Sequence, residues 1–324
     1  MSALRLTLLA LGAAFLGYLV VQVGPEALLT SFHALSWRLL LIIWFPFALI
    51  AVLDTLGWRF AFRRNLASFS TLLTVRLAGE AFNATTPTAS MGGEPVKAYL
   101  LRPQVPLGEG LASVIVAKTT VTLAQGLFLV AGIALALTSL PPAAPLLKAM
   151  IWLAAVEAVA LGAFVLLQQK GLFQGGLRLL RGLGFSWGDH GEEGVRRLDL
   201  ALSAFYREHP GRLTLSLLFH FVGWVVGSLE VFLILHFMGI PISLTTALVI
   251  EAFAAAIKSA AFLIPAGLGA LEGGTMAVFA AFGLGAGAGL SMTLVRRFRE
   301  LAWVAAGLVA LSFFRAASAG AEPT

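Results

Sequence analysis

The sequence predicts an all-α protein: a polytopic α-helical membrane bundle with two inverted-topology repeats, each containing a broken, re-entrant helical segment. Three observations lead there. Of 324 residues, 59% are hydrophobic and only 12% charged, with a mean hydropathy of +0.92, whereas soluble domains carry about 25% charged residues. Apolar runs of about 20 residues, the length that crosses a hydrocarbon core of about 30 Å, recur along the whole chain. Two further apolar stretches are broken by proline and glycine and carry an acid and a base at matching intervals.

Spans are expected at about 4–24, 37–58, 108–137, 146–167, 213–237 and 290–314, within one integral membrane domain covering 1–324. The run Leu6 to Val23 has one basic residue before it, Arg5, and no clear small-residue cleavage site, so it reads as a retained first helix rather than a signal peptide. Cysteine is absent, which removes disulfides, thiolate metal sites and a cysteine nucleophile. A net charge of +6 and a pI near 10.2 invite a nucleic-acid reading. The basic residues instead gather in loops beside the spans, as they do on the cytoplasmic side of a membrane. The stretch 59–76 holds Arg59, Arg63, Arg64 and Arg76 with no acid, and 169–212 holds seven basic residues. The loops 25–36, 139–147 and 238–243 hold no lysine or arginine. Both termini are therefore expected on the cytoplasmic side. Within the 169–212 loop, Val195, Leu198, Leu202 and Phe205 share one helical face, opposite Arg196, Arg197 and Asp199. Such a helix either lies on the cytoplasmic leaflet or packs on the bundle.

The interrupted segments are about 77–101 and 246–284. The first contains Glu80, Asn83, Glu94 and Lys97 around Pro87, Gly92 and Gly93; the second contains Glu251, Lys258 and Glu272 around Pro265, Gly267 and Gly269. Proline and glycine break a helix, and broken backbone at membrane depth needs protein or a wet cavity over it. An offset of 178 aligns Pro87 with Pro265, Glu94 with Glu272, Lys118 with Arg296 and Ser113 with Ser291. It lays the second span over the fifth and the third over the last, so repeats are expected at about 37–137 and 215–315. The first broken segment follows a cytoplasmic loop and the second an outer one, which inverts the two units. Paired broken segments in inverted halves point to a transporter's binding site near the midplane.

Lys118 and Arg296 fall inside spans, where a charge costs about 2.5–3.5 kcal/mol on insertion scales. Glu80, Asn83, Glu94, Lys97 and Lys118 would line one half of a substrate site, and Glu251, Lys258, Glu272 and Arg296 the other. Pro87, Gly92, Gly93, Pro265, Gly267 and Gly269 would be its helix breaks and hinges. The bases either coordinate an anionic group such as a lipid phosphate or pair internally with the acids as structural bridges. Glu251 and Lys258 lie seven apart, about 10 Å along a helix, so each needs another partner. Asp54 and Arg59 read as an interfacial pair, and Arg297 and Arg299 as side chains snorkelling to the interface. His220 reads as a buried, hydrogen-bonded imidazole. No Walker loop and no His-Glu-x-x-His pair occurs, and the five histidines lack metal-ligand spacing. Gly184-Phe-Ser-Trp-Gly188 matches the nucleophile-elbow pattern only formally, in a glycine-rich loop. No metal, no cofactor and no enzymatic activity are expected.

The run Gly92-Gly-Glu-Pro-Val-Lys-Ala-Tyr-Leu-Leu101 and the run Ile264-Pro-Ala-Gly-Leu-Gly-Ala-Leu-Glu-Gly273 resemble the two signature regions of the lysylphosphatidylglycerol synthase transmembrane-region family, a flippase-like membrane domain. The resemblance covers nearly the whole chain. Thr86 to Ser90 resembles the branch found in hopanoid-biosynthesis neighbourhoods. The resemblance implies movement of a lipid, often with an anionic or aminoacylated headgroup, between the leaflets of a bacterial inner membrane. About ten residues follow the last span, and the soluble aminoacyl-transferase domain of the full synthases is not in this chain, so lipid synthesis is not implied. Lys118 stands where the family would carry arginine; lysine keeps the charge but loses the bidentate fork. Expected partners are a membrane lipid and the bilayer, with no nucleic acid; a homo-oligomer or a lipid-synthesis enzyme are further partner classes. Two other functions remain open: a non-transporting accessory protein of a lipid-synthesis complex, and a membrane-embedded enzyme using Glu94 and Glu272 on a lipid-linked substrate.

Overall fold

A computed structural model gives an all-helical chain, with no strand among the described residues. The structure describes residues 14, 16–85, 92–182, 189–262 and 264–319. Pro87, the Thr86–Ser90 run, most of residues 4–15 in the first span and Gly184–Gly188 lie outside them.

Helices α1 (16–23), α2 (Pro25–Leu35) and α3 (Arg38–Phe60) come first. Next are α4 (Phe69–Thr85), α5 (Gly93–Leu101), α6 (Leu107–Ala136) and α7 (Pro145–Gln169). Two helices, α8 (Leu172–Gly182) and α9 (Asp189–Glu208), fill the polar stretch. The chain continues with α10 (Pro210–Phe237), α11 (Leu244–Ala260), α12 (Ala270–Ala281) and α13 (Ala286–Ala319). Among the described residues four helices, α3, α6, α7 and α10, are long and apolar enough to cross a membrane, and they coincide with four expected spans. The span expected at 290–314 lies inside α13.

Local chemistry sets the boundaries. Proline opens α7 and α10 at the first turn, where its missing N–H costs nothing. Ser243 caps α11 by accepting from Thr246 N at 3.0 Å. Two stretches read as loops are partly helical. Gly24, at φ +90, breaks the chain between α1 and α2, so 25–35 is helix rather than outer loop. Ser68 Oγ accepts from Thr71 N at 3.1 Å and starts α4 early, which puts Arg76 on a helix instead of in the 59–76 loop.

The broken segments are where the sequence places them. The first divides into α4 and α5. The second divides into α11, a 3-10 turn at Pro265–Gly267, and α12. Gly267 and Gly269 hold φ +61 and +78, conformations open to glycine at no steric cost, and Ala266 at φ 55, just before them, carries real strain. Gly92 does not act this way: it has helical φ −69 and ψ −28 and leads directly into α5. Gly93 serves close approach instead, because a Cβ there would lie 1.9 Å from the Gly79 carbonyl oxygen of α4.

The packing pairs α3 with α10, α4 with α13, and α11 with α6. Helix α5 sits against α4 and α6, as α12 does against α11 and α13. The largest apolar core gathers Phe128 and Leu129 of α6, Ile234 and Leu235 of α10, Ile250 and Phe253 of α11, and Phe279 of α12. A second core joins Trp58 of α3 and Phe62 just beyond it to Leu101, Val114 and to Leu202 and Phe205 of α9. Helix α9 therefore packs its apolar face on the bundle rather than on the leaflet. Asp199 is not on its solvated face: it is buried and accepts from Phe173 N at 3.2 Å and Gln174 N at 2.8 Å, holding the first turn of α8.

Candidate functional site

Helical spacing builds the first cluster. Arg76, Glu80 and Asn83 recur at i, i+4 and i+7 along one face of α4. Glu94 and Lys97 lie three apart on α5, and Lys118 is on α6. These elements meet. Lys97 Nζ donates to Glu80 Oε1 at 2.7 Å and to Glu94 Oε2 at 3.1 Å. Asn83 ties both helices: its Nδ2 donates to Glu94 Oε1 at 3.2 Å, and its Oδ1 accepts from Gly93 N at 2.7 Å. Lys118 Nζ stands 3.6 Å from Glu94 Oε1. All five polar residues expected in the first half are thus assembled.

Three partners there escaped the sequence reading. Asp54 of α3 does not pair with Arg59. It receives Arg76 Nη2 at 2.5 Å and lies 3.1 Å from His220 Nδ1 of α10. Asp54 and Arg59 are five apart, which turns them to different helix faces. Arg76 and Asp54 are both largely buried, and His220 is the buried imidazole that was expected.

The second cluster forms on α10 to α13. Arg296 bonds Glu251 through Nη2, and its Nε lies 3.1 Å from Glu230 Oε2 without the alignment of a hydrogen bond. Arg299, one turn on, donates to the same Glu230 oxygen at 2.5 Å and stacks its guanidinium 4.8 Å from the Phe47 ring centre. Arg297 faces a different side of α13. Its Nη2 and Nε donate to Glu272 Oε1 at 2.8 and 3.0 Å, and Nη1 reaches Glu300 Oε2 at 3.2 Å. Glu272 Oε2 accepts from Gly269 N at 2.8 Å, and Arg297 Nη1 donates to Ala266 O at 2.9 Å. The broken backbone of the second segment is thereby pinned to α13 from both sides. Lys258 Nζ stands 3.6 Å from Glu300 Oε1. Arg297 and Arg299 do not snorkel to an interface, because each finds a carboxylate within the protein. Glu230, Arg297, Arg299 and Glu300 were not expected at the site. A lone acid in the apolar α10, and basic residues one turn apart on α13, were the available signals.

Both clusters balance. The first holds Asp54, Glu80 and Glu94 against Arg76, Lys97 and Lys118. The second holds Glu230, Glu251, Glu272 and Glu300 against Lys258, Arg296, Arg297 and Arg299. Each also has two layers. The inner pairs are short and shielded, with Glu230 and Glu272 essentially inaccessible. The rims are open to the surroundings. Lys118 and Glu80 are each 43% exposed, and Lys258 and Glu300 are 62% and 36% exposed. No group of three or more histidine, aspartate or glutamate side chains with metal-binding geometry occurs among the described residues.

Residues 3–308 match the family described as Lysylphosphatidylglycerol synthase TM region. No curated protein and no solved structure matches the chain. With the family profile spanning nearly its full length, the chain belongs to the lysylphosphatidylglycerol synthase transmembrane-region family.

Proposed function

We propose that this multi-pass membrane protein moves a lipid with an anionic or modified headgroup between the leaflets of a bacterial inner membrane, with both termini cytoplasmic. The family implies a membrane lipid-related function. The observation that carries the finer reading is the pair of charge-balanced clusters around broken helices, each with a lysine–glutamate rim held at 3.6 Å or left half-open. A neutral cluster does not simply add a phosphate. A headgroup binds by taking a lysine from its internal carboxylate, so its affinity is greatest in the conformation that opens the rim. That differential affinity is what lets binding drive a conformational change. The exchanged packing, α4 on α13 and α11 on α6, is the pattern two halves related by a two-fold axis generate, and it supports the reading of 37–137 and 215–315 as inverted repeats.

Transport is favoured over catalysis in this reading. Glu272 has both oxygens engaged by Arg297 and Gly269 N, and Glu94 is held by Lys97 and Asn83, which leaves neither carboxyl poised over an open pocket.

The test is leaflet exchange of fluorescent lipids by the purified protein in liposomes. Exchange is expected for at least one phosphate-bearing headgroup at rates well above protein-free vesicles, and Glu94→Gln, which strips Lys118 and Lys97 of a charged partner, should change that rate by tenfold or more, on the order of the 1.5–3 kcal/mol of a charged hydrogen bond. Exchange equal to empty vesicles for every headgroup tried would remove the proposal.

A further inference from the structure

We propose that the junction of α7 and α8 is a separate binding site for one anionic phospholipid of the leaflet on the protein's basic face. The site takes the phosphate at Lys170 and Arg178, and an acyl chain along Leu167, Leu172 and Leu179.

The position follows from chain geometry. Helix α7 is an apolar crossing helix that ends at Gln169. The backbone turns at once on Gly171, with φ +86, and α8 starts at Leu172. No residue separates the end of the span from α8 beyond Lys170 and Gly171, so α8 sits at headgroup depth. What surrounds an open surface at that depth is lipid, not bulk water.

The chemistry fits that position. On an ideal helix Phe173, Leu177 and Leu172 lie on one side of α8, and Arg178 and Arg181 on the other. Phe173 packs into the core shared with α9. Leu179 is left outside, 70% exposed, beside the exposed Leu167 at the end of α7. Between them runs a groove of about 410 Å³ lined by Leu167, Lys170, Gly171, Leu172, Gly175, Gly176, Arg178 and Leu179. Its exposed charge is basic, the Asp199 carboxylate beside Gly171 being buried and held by Phe173 N and Gln174 N. The stretch 169–182 contains Lys170, Arg178 and Arg181 and no acid. Arg181 is paired with Glu192, whereas Lys170 and Arg178 have no ion pair among the described residues. Two bases with no ion pair among the described residues, over an apolar floor at the membrane boundary, match a phosphodiester with attached chains and give an acidic protein segment nothing for its depth. Gly175 and Gly176 shape the floor: a Cβ at either meets nothing within 4 Å, so their missing side chains leave the groove open. Helix α8 itself is fixed by the two hydrogen bonds to Asp199, so the groove is preformed.

This site shares no residue with the two charge clusters, and it stands or falls independently of the transport reading. Native mass spectrometry of the detergent-purified full chain tests it, with added dioleoyl phosphatidylglycerol, dioleoyl phosphatidylcholine or sn-glycerol 3-phosphate. Wild type should retain one phosphatidylglycerol in preference to phosphatidylcholine, and glycerol phosphate at equal concentration should not displace it. Lys170→Gln with Arg178→Gln should weaken retention about 30-fold, at about 1 kcal/mol for each basic residue near the surface. Gly176→Leu, whose Cβ would enter open space on the groove floor, should lower retention of either lipid. Arg63→Gln, at an exposed base outside the groove and outside both charge clusters, should leave it unchanged. The proposal is overturned if phosphatidylcholine binds equally well, if the double variant retains phosphatidylglycerol like wild type, which would assign the bound lipid to another site, or if Arg63→Gln lowers retention as much as the double variant does, which would make it a general effect of the basic surface.

Discussion

Arg296→Ala should be among the most damaging single substitutions in the protein. Arg296 bonds Glu251 and lies against Glu230, and both carboxylates are almost fully shielded. Removing one partner of a buried pair costs about 3–5 kcal/mol, because the remaining charge is stranded rather than because the pair itself was strongly stabilising. Here the substitution strands Glu251 outright and leaves Glu230 to Arg299 alone. Thermal melting in detergent should show a large drop, whereas Arg63→Ala, which breaks the exposed pair with Glu208, should stay within about 1 kcal/mol of wild type. The double variant Arg296→Leu with Glu251→Leu separates stability from function. Exchanging a buried ion pair for apolar side chains of similar volume is often close to neutral. Melting should therefore recover much of its loss, while lipid exchange should not recover. Recovery of both would make the pair a purely structural bridge.

Gly93→Val should disrupt the first cluster without removing a charge. The α4 and α5 backbones touch at this point, with the Gly79 carbonyl oxygen 1.9 Å from where a Cβ would stand. No side-chain rotation relieves a backbone clash, so the two helices must separate. The Asn83–Gly93 bond at 2.7 Å and the Lys97–Glu80 bond at 2.7 Å both cross that contact and would lengthen together. Overpacking of this kind costs about 1–3 kcal/mol and more when backbone must move. Gly126→Val is the control, since a Cβ there meets only Leu161 at an ordinary 3.8 Å. A melting temperature for Gly93→Val equal to that of Gly126→Val would show that α4 and α5 are not in this contact.

The sequence was most informative where one element decides the outcome. Apolar length located the helices able to cross a membrane, and proline and glycine located the break at Pro265–Gly267. Their place in one broken polar segment was enough to group Glu80, Asn83, Glu94 and Lys97, which the structure brings together. It was least informative where two helices meet. Arg297 is one residue from Arg296, yet a rotation of about 100° sends it to Glu272 on α12 instead of Glu251 on α11. Nothing in the linear spacing says which neighbour lies on each side. Asp199 shows the same limit: a charged residue beside an apolar stripe looks solvated until α8 folds back and presents two backbone N–H groups to it. The rims are a third case. Lys118 and Arg296 align at the offset of 178, but one is half-exposed and the other enclosed, a difference set by the helices packed over them.

The exchange of rim lysines between internal carboxylates and a lipid headgroup is the centre of this account. Leaflet exchange by Lys118→Gln with Lys258→Gln, reconstituted beside wild type and protein-free liposomes, tests it most directly. Both lysines are accessible, 43% and 62% exposed, so the double variant should melt close to wild type. Its exchange rate should fall by tenfold or more, about 1.4 kcal/mol, toward that of empty vesicles. A folded double variant that exchanges every lipid at the wild-type rate would contradict the account.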